Sequence, residues 1–157
     1  MKKALRIIGF VIVCELAGLI GSLFTTPSIA GWYAGLTKPA FNPPNWIFAP
    51  VWTTLYALMG LAAWLVYDKG VRRAEVKRAL FVFLAQLILN VLWSVMFFGA
   101  HRILGAFVII VALWILILGT ILRFHKISKA AAYLLVPYVL WAGFATVLNA
   151  SLYVLNR

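Results

Sequence analysis

Residues 103–122 read ILGAFVIIVALWILILGTIL, an unbroken apolar run that contains no charged side chain. A helix needs about 20 such residues in a row to cross the hydrocarbon core of a bilayer. Four more long apolar runs lie at residues 5–24, 46–67, 79–98 and 131–155. None of the five alternates apolar with polar residues, as the strands of a membrane barrel do. The sequence therefore predicts an all-α integral membrane protein, a bundle of five transmembrane helices that forms one domain over residues 1–157.

The composition excludes a water-soluble domain. Of the 157 residues, 66% are hydrophobic and 11% are charged, and the mean hydropathy is +1.05. Soluble domains are closer to half apolar and a quarter charged. The net charge of +11 does not indicate nucleic-acid binding, because the positive residues lie at the ends of the apolar runs, within reach of anionic lipid headgroups.

The positive residues are divided unequally between the two ends of the predicted helices. Eleven of the fourteen Lys and Arg residues lie in the N-terminal tail and in the connections 68–78 and 123–130, which we call the basic end. Only Lys38, Arg102 and Arg157 lie at the opposite, first-loop end. Loops rich in Lys and Arg stay cytoplasmic. We therefore expect a bacterial-type plasma membrane protein with a cytoplasmic N-terminus.

The first predicted loop (25–45) and the residues after it concentrate aromatic side chains. Residues 32–56 contain seven aromatic residues, four prolines and Lys38. Aromatic rings offer flat surfaces, and prolines restrict the chain. We interpret this segment as a lid over a site for a flat, hydrophobic, anionic molecule, with Lys38 and Trp46 among its contacts. The alternatives are that Lys38 only reaches the lipid headgroups and that Trp46 belongs to an interfacial aromatic belt.

Three predicted helices carry stripes that mix aromatic and hydrogen-bonding side chains. At about 100° per residue, positions i, i+4, i+7 and i+11 share one face. The stripes are Trp52, Tyr56, Met59 and Ala63; Gln86, Asn90, Trp93 and Phe97; and Tyr138, Trp141, Ala145 and Leu148, with Asn149 beside the last. Amide side chains are costly against lipid, so they point into the bundle. There they either contact a ligand or hydrogen-bond neighbouring helices.

Glu15 is the one acid within a predicted span, which makes it a candidate functional group. The alternative is a neutral carboxyl bonded to a neighbouring helix. The basic start of the chain resembles a secretory signal, but the long run after it contains Glu15, so we expect it to remain as the first helix. Gly18 and Gly21 permit close helix approach, within the chain or across a dimer. Pro137 predicts a kink in the fifth helix.

The sequence contains no Gly-rich phosphate loop, no Cys/His metal cluster and no nucleophile spaced from a base. We therefore expect no metal, no cofactor and no conventional catalytic constellation.

Three motifs follow one another in the chain. They are Trp32-Tyr33-x2-Leu36-x-Lys38-Pro39-x-Phe41-x-Pro43-Pro44-x-Trp46-x-Phe48 with Pro50-x-Trp52-x2-Leu55-Tyr56-x2-Met59-Gly60; Gln86-Leu87-x-Leu89-Asn90-x2-Trp93-x3-Phe97-Phe98-Gly99; and Pro137-Tyr138-x2-Trp141-x2-Phe144-Ala145-Thr146-x-Leu148-Asn149. With these motifs the chain resembles, over nearly its whole length, the translocator protein / tryptophan-rich sensory protein family, also called peripheral benzodiazepine receptors.

The resemblance implies a five-helix bundle, commonly a homodimer, that binds porphyrins and other flat hydrophobic ligands below the first loop as a receptor, sensor or transporter. The residues at the family's ligand positions are Trp52, Asn90, Trp93, Trp141, Ala145 and Leu148. An alternative implied role is the light- and oxygen-dependent degradation of protoporphyrin, in which Trp52 and Trp141 take part. A loose sterol motif is matched by Leu148-x4-Tyr153-x3-Arg157, although Ala150 and Ser151 replace the aromatic residues of animal members.

The charge asymmetry can be tested by labelling. In a chain whose Cys14 is replaced by serine, a membrane-impermeant maleimide added to intact cells should modify Lys38→Cys and should modify Lys69→Cys only after the membrane is opened. Labelling of position 69 alone in intact cells would show the opposite orientation.

Overall fold

The computed structural model describes residues 2–157, and within that range all regular secondary structure is helical. The elements are α1 (Lys2–Ser28) with a π-helical turn (Ile29–Tyr33), α2 (Asn45–Tyr67), α3 (Ala74–Ser94) with a π-helical turn (Val95–Gly99), α4 (Ile103–Ile127), α5 (Lys129–Leu134) and α6 (Val136–Leu155). Together they make five helical stretches long and apolar enough to cross a membrane, α5 and α6 forming the fifth. This result confirms the predicted fold class.

The helices form a bundle that is closed at one end and spread at the other. α1 packs against α2 and α3, and α4 packs against α3, α5 and α6. α5, which is the first part of the fifth span, packs against α2 at the basic end. Towards the first-loop end, by contrast, the backbones of α2 and α6 hardly approach each other. The space between them is bridged by aromatic rings, with the centres of Phe48 and Trp141 5.9 Å apart.

The separation of α5 from α6 lies next to Pro137, where the sequence predicts a kink. Leu135, at φ −90° and ψ −5°, separates the two helices, and Pro137 lies in the first turn of α6. The missing amide hydrogen of a proline costs no helical hydrogen bond at that position. The break allows α5 to contact α2 while α6 follows α4.

The first helix is longer than the sequence predicts. The sequence predicts a loop over residues 25–45, but the helix continues to Tyr33. The Ser28 hydroxyl donates a hydrogen bond of 2.7 Å to the carbonyl oxygen of Phe98, and the Trp32 ring stacks on His101 at 4.4 Å. These contacts hold the extension against the end of the third span, so tertiary contacts outweigh the loop-like local sequence.

Glycines allow the first helix to pack closely on its neighbours in the same chain. A Cβ atom added at Gly60 would lie 2.5 Å from the Cα of Val11 and 2.8 Å from the carbonyl oxygen of Phe10. Gly18 similarly leaves room for the ring of Tyr56, and a Cβ at Gly21 would lie 3.1 Å from the Ser94 hydroxyl. Such close backbone approach is typical of small residues in membrane helices.

The contact at Gly60 is with backbone atoms, which cannot rotate away. Gly60→Ala should therefore lower the free energy of unfolding by about 1–3 kcal/mol, the usual cost of overpacking. Heating in detergent with a thiol-reactive fluorophore measures this, because Cys14 is buried in the folded chain.

Gly9→Ala is the matched control, since a Cβ there meets nothing within 4 Å. It should be neutral or stabilise the helix, because alanine is the better helix former by about 0.5–1 kcal/mol. Equal melting of both variants and the parent would contradict the tight α1–α2 contact.

Candidate functional site

A cavity of about 550 Å³ lies between α1, α2, α3 and α6 at the first-loop end of the bundle. Its size falls within the range of roughly 300–1,000 Å³ that is usual for small-molecule sites. Towards the basic end the interior is filled by side chains such as Met59, Leu113 and Tyr138, which are almost completely buried. The cavity therefore exists where α2 and α6 diverge and ends where the closed part of the bundle begins.

The mouth of the cavity lies between α1 and α2. Leu16 and Leu19 on α1, and Ala49 and Thr53 on α2, line the cavity and are also exposed on the outside of the bundle. Residues can meet both conditions only at a rim. Since the outer surface of these helices faces lipid in a membrane, a hydrophobic molecule would enter from the bilayer rather than from water.

A chain of hydrogen bonds crosses the floor of the cavity. The Tyr56 hydroxyl donates to Oδ1 of Asn90, Nδ2 of Asn90 donates to the Tyr138 hydroxyl at 2.9 Å, and that hydroxyl donates to Oε1 of Gln86 at 2.8 Å. All four side chains are buried. The chain joins α2, α3 and α6, and the low-dielectric surroundings strengthen each bond.

A second amide ties the wall of the cavity together. The Trp93 indole N–H donates to Oδ1 of Asn149 at 3.0 Å, and Nδ2 of Asn149 donates to the carbonyl oxygen of Ile103 at 3.0 Å. Of the two roles left open for the intramembrane amides, the structure thus shows hydrogen bonding between helices for Gln86, Asn90 and Asn149. Asn90 and Asn149 nevertheless border the cavity.

Aromatic rings form another part of the wall. Trp52 lies 5.6 Å from Tyr56 and 6.3 Å from Tyr138, measured between ring centres. Trp93 stacks on Phe97 at 5.5 Å. These rings come from three helices and expose faces and edges on which a flat molecule can pack.

Trp141 separates the cavity from a second space. It lines the cavity and also a groove on the outside of the bundle between α2 and α6, beside Pro50 and Pro137. Its ring centre lies 5.9 Å from that of Phe48 and 5.5 Å from that of Phe144. Its buried indole nitrogen has no hydrogen-bond partner among residues 2–157.

Most of the residues that the sequence assigns to the site meet at this cavity. The lining includes Trp52, Asn90, Trp93, Trp141, Ala145 and Leu148. The structure does not bring Lys38 or Trp46 to the cavity, and Trp46 is 73% exposed.

Lys38 is instead held by the loop that contains it. Its ammonium donates to the carbonyl oxygens of Ala34 at 3.2 Å and Leu36 at 3.3 Å and lies 4.8 Å from the ring centre of Tyr33. Tyr33 does line the cavity. The side chain of Tyr33 therefore lies between Lys38 and the cavity.

The loop over 34–44 is fixed at two points. The Tyr33 hydroxyl donates to Oδ1 of Asn42 at 2.8 Å. The side-chain amide of Asn156 accepts from the Thr37 amide and donates to the Thr37 carbonyl oxygen, both at 2.9 Å. The loop over 34–44, which covers the first-loop end, is therefore hydrogen-bonded to the residue that follows α6.

The residues of the loose sterol motif do not share a surface. Leu148 is buried and lines the cavity, whereas Tyr153 is half-buried and Arg157 is exposed. Five residues along a helix correspond to a rotation of about 140°, so Leu148 and Tyr153 face different directions. Leu148 thus lines the cavity, whereas Tyr153 and Arg157 do not.

Sequence reasoning missed the contribution of the first helix to the wall. Leu16, Leu19 and Ile29 line the cavity but are ordinary apolar residues without a distinguishing pattern. Phe48 lines the cavity as well, and in the sequence it stands out only as part of a motif. Glu15 also lines the cavity and is the sole Asp, Glu, Lys, Arg or His among its lining residues. Within residues 2–157, no group of three or more His, Cys, Asp or Glu side chains is placed to hold a metal ion.

The chain resembles known proteins over nearly its full length. Residues 10–155 match the model of the TspO/MBR family. Tryptophan-rich protein TspO of Chlorobaculum tepidum is 44% identical over 144 residues, or 92% of this chain and 91% of that protein. Tryptophan-rich sensory protein of Cereibacter sphaeroides is 36% identical over 150 residues, or 94% and 89% of the two chains. The translocator protein of Homo sapiens is 37% identical over 142 residues, or 90% and 84%.

The hydroxyl of Tyr138 makes two of the buried hydrogen bonds on the cavity floor. Tyr138→Phe leaves the Asn90 and Gln86 amides without that partner and should lower the free energy of unfolding by about 1–3 kcal/mol. Thermal unfolding in detergent measures the change. Tyr133→Phe is the control, because that ring is 64% exposed, and it should shift stability by less than about 0.5 kcal/mol. Identical melting of the two variants would mean that the hydrogen-bonded chain does not stabilise the bundle.

Proposed function

We propose that this chain, which belongs to the TspO/MBR family of membrane proteins, is a receptor or sensor that binds porphyrins and other flat hydrophobic ligands in the cavity below the first loop. The observation that carries the proposal is the convergence of Trp52, Trp93 and Trp141, from three different helices, on one cavity of ligand size. Ala145 and Leu148 add small apolar surface beside them. Stacking on such rings suits a flat macrocycle, because every aromatic ligand has a face to offer.

The position of the mouth supports the same class of ligand. A porphyrin partitions into the bilayer, and an opening between α1 and α2 gives it access without crossing water. Relatives bear the names translocator protein and tryptophan-rich sensory protein, which support transport or sensing as the purpose of binding.

An enzyme-like degradation of bound protoporphyrin, driven by light and oxygen, is the alternative function. The observation that favours it is that the Trp52 and Trp141 rings both line the cavity. Indoles in contact with an excited porphyrin can quench it or react with the singlet oxygen it generates. Trp52 and Trp141 are then the residues that act on the ligand.

We further propose a bacterial plasma membrane location, a cytoplasmic N-terminus and a homodimer. What supports the orientation is the charge distribution: the bundle carries eleven of its fourteen Lys and Arg residues at the basic end. The dimer is supported by the family resemblance and would be measured as the mass of the protein in detergent by light scattering.

The aromatic wall can be tested by titration with protoporphyrin in the dark, followed by tryptophan fluorescence. Trp93→Ala or Trp141→Ala should weaken binding by about 1–3 kcal/mol, the scale for loss of a stacked aromatic ring. Trp46→Ala should bind like the parent, since Trp46 lies outside the cavity. Unchanged affinity in both cavity variants would remove these residues from the site.

Illuminating the same samples in the presence of oxygen tests the alternative function, degradation of the bound protoporphyrin. Loss of porphyrin absorbance in the parent, slowed in Trp52→Phe and Trp141→Phe variants that still bind, would support degradation. A rate equal to that of free porphyrin would exclude it.

Lys38 offers a separate test of charge recognition at the loop. Its ammonium lies beside Tyr33, a residue of the cavity wall, so a propionate at the loop end of the cavity would be close to it. Lys38→Gln should weaken protoporphyrin binding by about 1 kcal/mol, as expected for a solvent-accessible ion pair. A neutral ligand of similar size should bind equally to variant and parent. Equal loss for both ligands would indicate a structural role of Lys38 in the loop.

A further inference from the structure

Glu15 lines the cavity, is half-buried, and lies far from either end of the first helical stretch. It is 13 residues from Lys2 and 18 from Tyr33 along the first helical stretch. At a rise of 1.5 Å per residue, these distances are roughly 20 Å and 27 Å, so Glu15 lies near the middle of the hydrocarbon layer. An acid at this depth is costly unless something pairs with it.

Nothing in the described chain pairs with Glu15. Its side chain makes no hydrogen bond among residues 2–157, and the one ion pair of that range joins Arg73 and Glu75. The neighbouring hydroxyls on α1 are already engaged. Ser22 donates to the carbonyl oxygen of Leu19, and Thr25 donates to that of Gly21.

Two of the other polar groups of the cavity wall already have protein partners. The Tyr56 hydroxyl donates to Asn90, and the Trp93 indole donates to Asn149. Lys38, the cation nearest in sequence at the first-loop end, bonds two carbonyl oxygens of its own loop. The cavity thus presents one carboxyl group and no protein cation to match it.

We propose that Glu15 receives the ammonium group of an amphipathic amine, so that the cavity is a site for hydrophobic cations. Its wall suits such a ligand. The ring of Tyr56 packs on Gly18, one turn of helix from Glu15, and Trp52 lies 5.6 Å from Tyr56. Aromatic faces attract a desolvated cation, tryptophan most strongly, while the apolar rings hold the rest of the molecule.

The depth of Glu15 identifies the source of the ammonium as a free amine. A lipid headgroup stays at the interface, whereas Glu15 is about 20 Å or more from both ends of its helix. The site uses the same cavity as the proposed porphyrin binding but a different group, because porphyrin carboxylates gain nothing from another carboxylate. The two proposals are therefore separable by experiment.

The test compares two probes of equal shape in maltoside micelles, which contain no amine. One is N,N-dimethyl-1-pyrenemethylamine, protonated at neutral pH, and the other is 1-isobutylpyrene, in which carbon replaces nitrogen. Binding is followed by energy transfer from tryptophan to pyrene. The parent should bind the amine at least about tenfold more tightly than its isostere, which corresponds to about 1.4 kcal/mol.

Glu15→Gln should lower amine affinity about tenfold and leave isostere affinity within about twofold, since it removes charge and preserves shape. Glu75→Gln, a change at an exposed acid, should alter neither. Equal affinity of the parent for the two probes would overturn the proposal without any variant. An equal loss of both probes in Glu15→Gln would overturn it as well.

Two further ligands, a lipid and protoporphyrin, distinguish this proposal from binding of a lipid headgroup and from the porphyrin proposal. Phosphatidylethanolamine added to the micelles should not displace the amine if the ammonium comes from a free ligand, and displacement by it but not by phosphatidylglycerol would assign the ammonium to a lipid. Protoporphyrin affinity should not be lower in Glu15→Gln than in the parent, because the substitution removes no group that attracts a carboxylate. A parent that discriminates the amine but does not bind protoporphyrin would refute the porphyrin proposal and leave this one standing.

Discussion

Three helices of the bundle are joined by one chain of buried hydrogen bonds, from Tyr56 through Asn90 and Tyr138 to Gln86. In lipid there is no water to replace a lost partner, so each of these groups depends on the others. The chain fixes α2, α3 and α6 at one level of the membrane. On the basic side of that level the interior is filled by buried side chains, and on the first-loop side α2 and α6 separate.

The position of the cavity depends on where small and large side chains lie along these helices. Gly60 brings α2 against the backbone of α1 on the basic side of the hydrogen-bonded chain. On the other side Phe48, Trp52 and Trp141 occupy the space between α2 and α6. Bulky rings keep the backbones apart but cannot fill the volume completely, so one sequence produces a dense half and a hollow half.

The spans and most of the aromatic wall could be predicted from the sequence, because each depends on a local pattern. Helix 103–122 needs only its length and lack of charge, and Trp52, Trp93 and Trp141 fall on stripes set by helical periodicity. The extension of α1 to Tyr33 could not be predicted, since it depends on Ser28 meeting Phe98, seventy residues away. The position of Lys38 could not be predicted for a similar reason: its charge is visible in the sequence, but the carbonyl oxygens that hold it are placed by the turn of the loop.

Trp141 borders both the cavity and the outer groove, and this position bears on how a molecule could move through the bundle. One face borders the interior space and another borders the outer groove beside Pro50. No hydrogen bond to residues 2–157 anchors the indole, so its rotamer is set by packing, including that against the rings of Phe48 and Phe144. A turn of this single ring would convert a blind pocket into a tunnel that runs parallel to the membrane plane, entering between α1 and α2 and leaving between α2 and α6. Passage along such a tunnel would carry a molecule around α2 within one leaflet, a sideways route that needs no opening to water on either side.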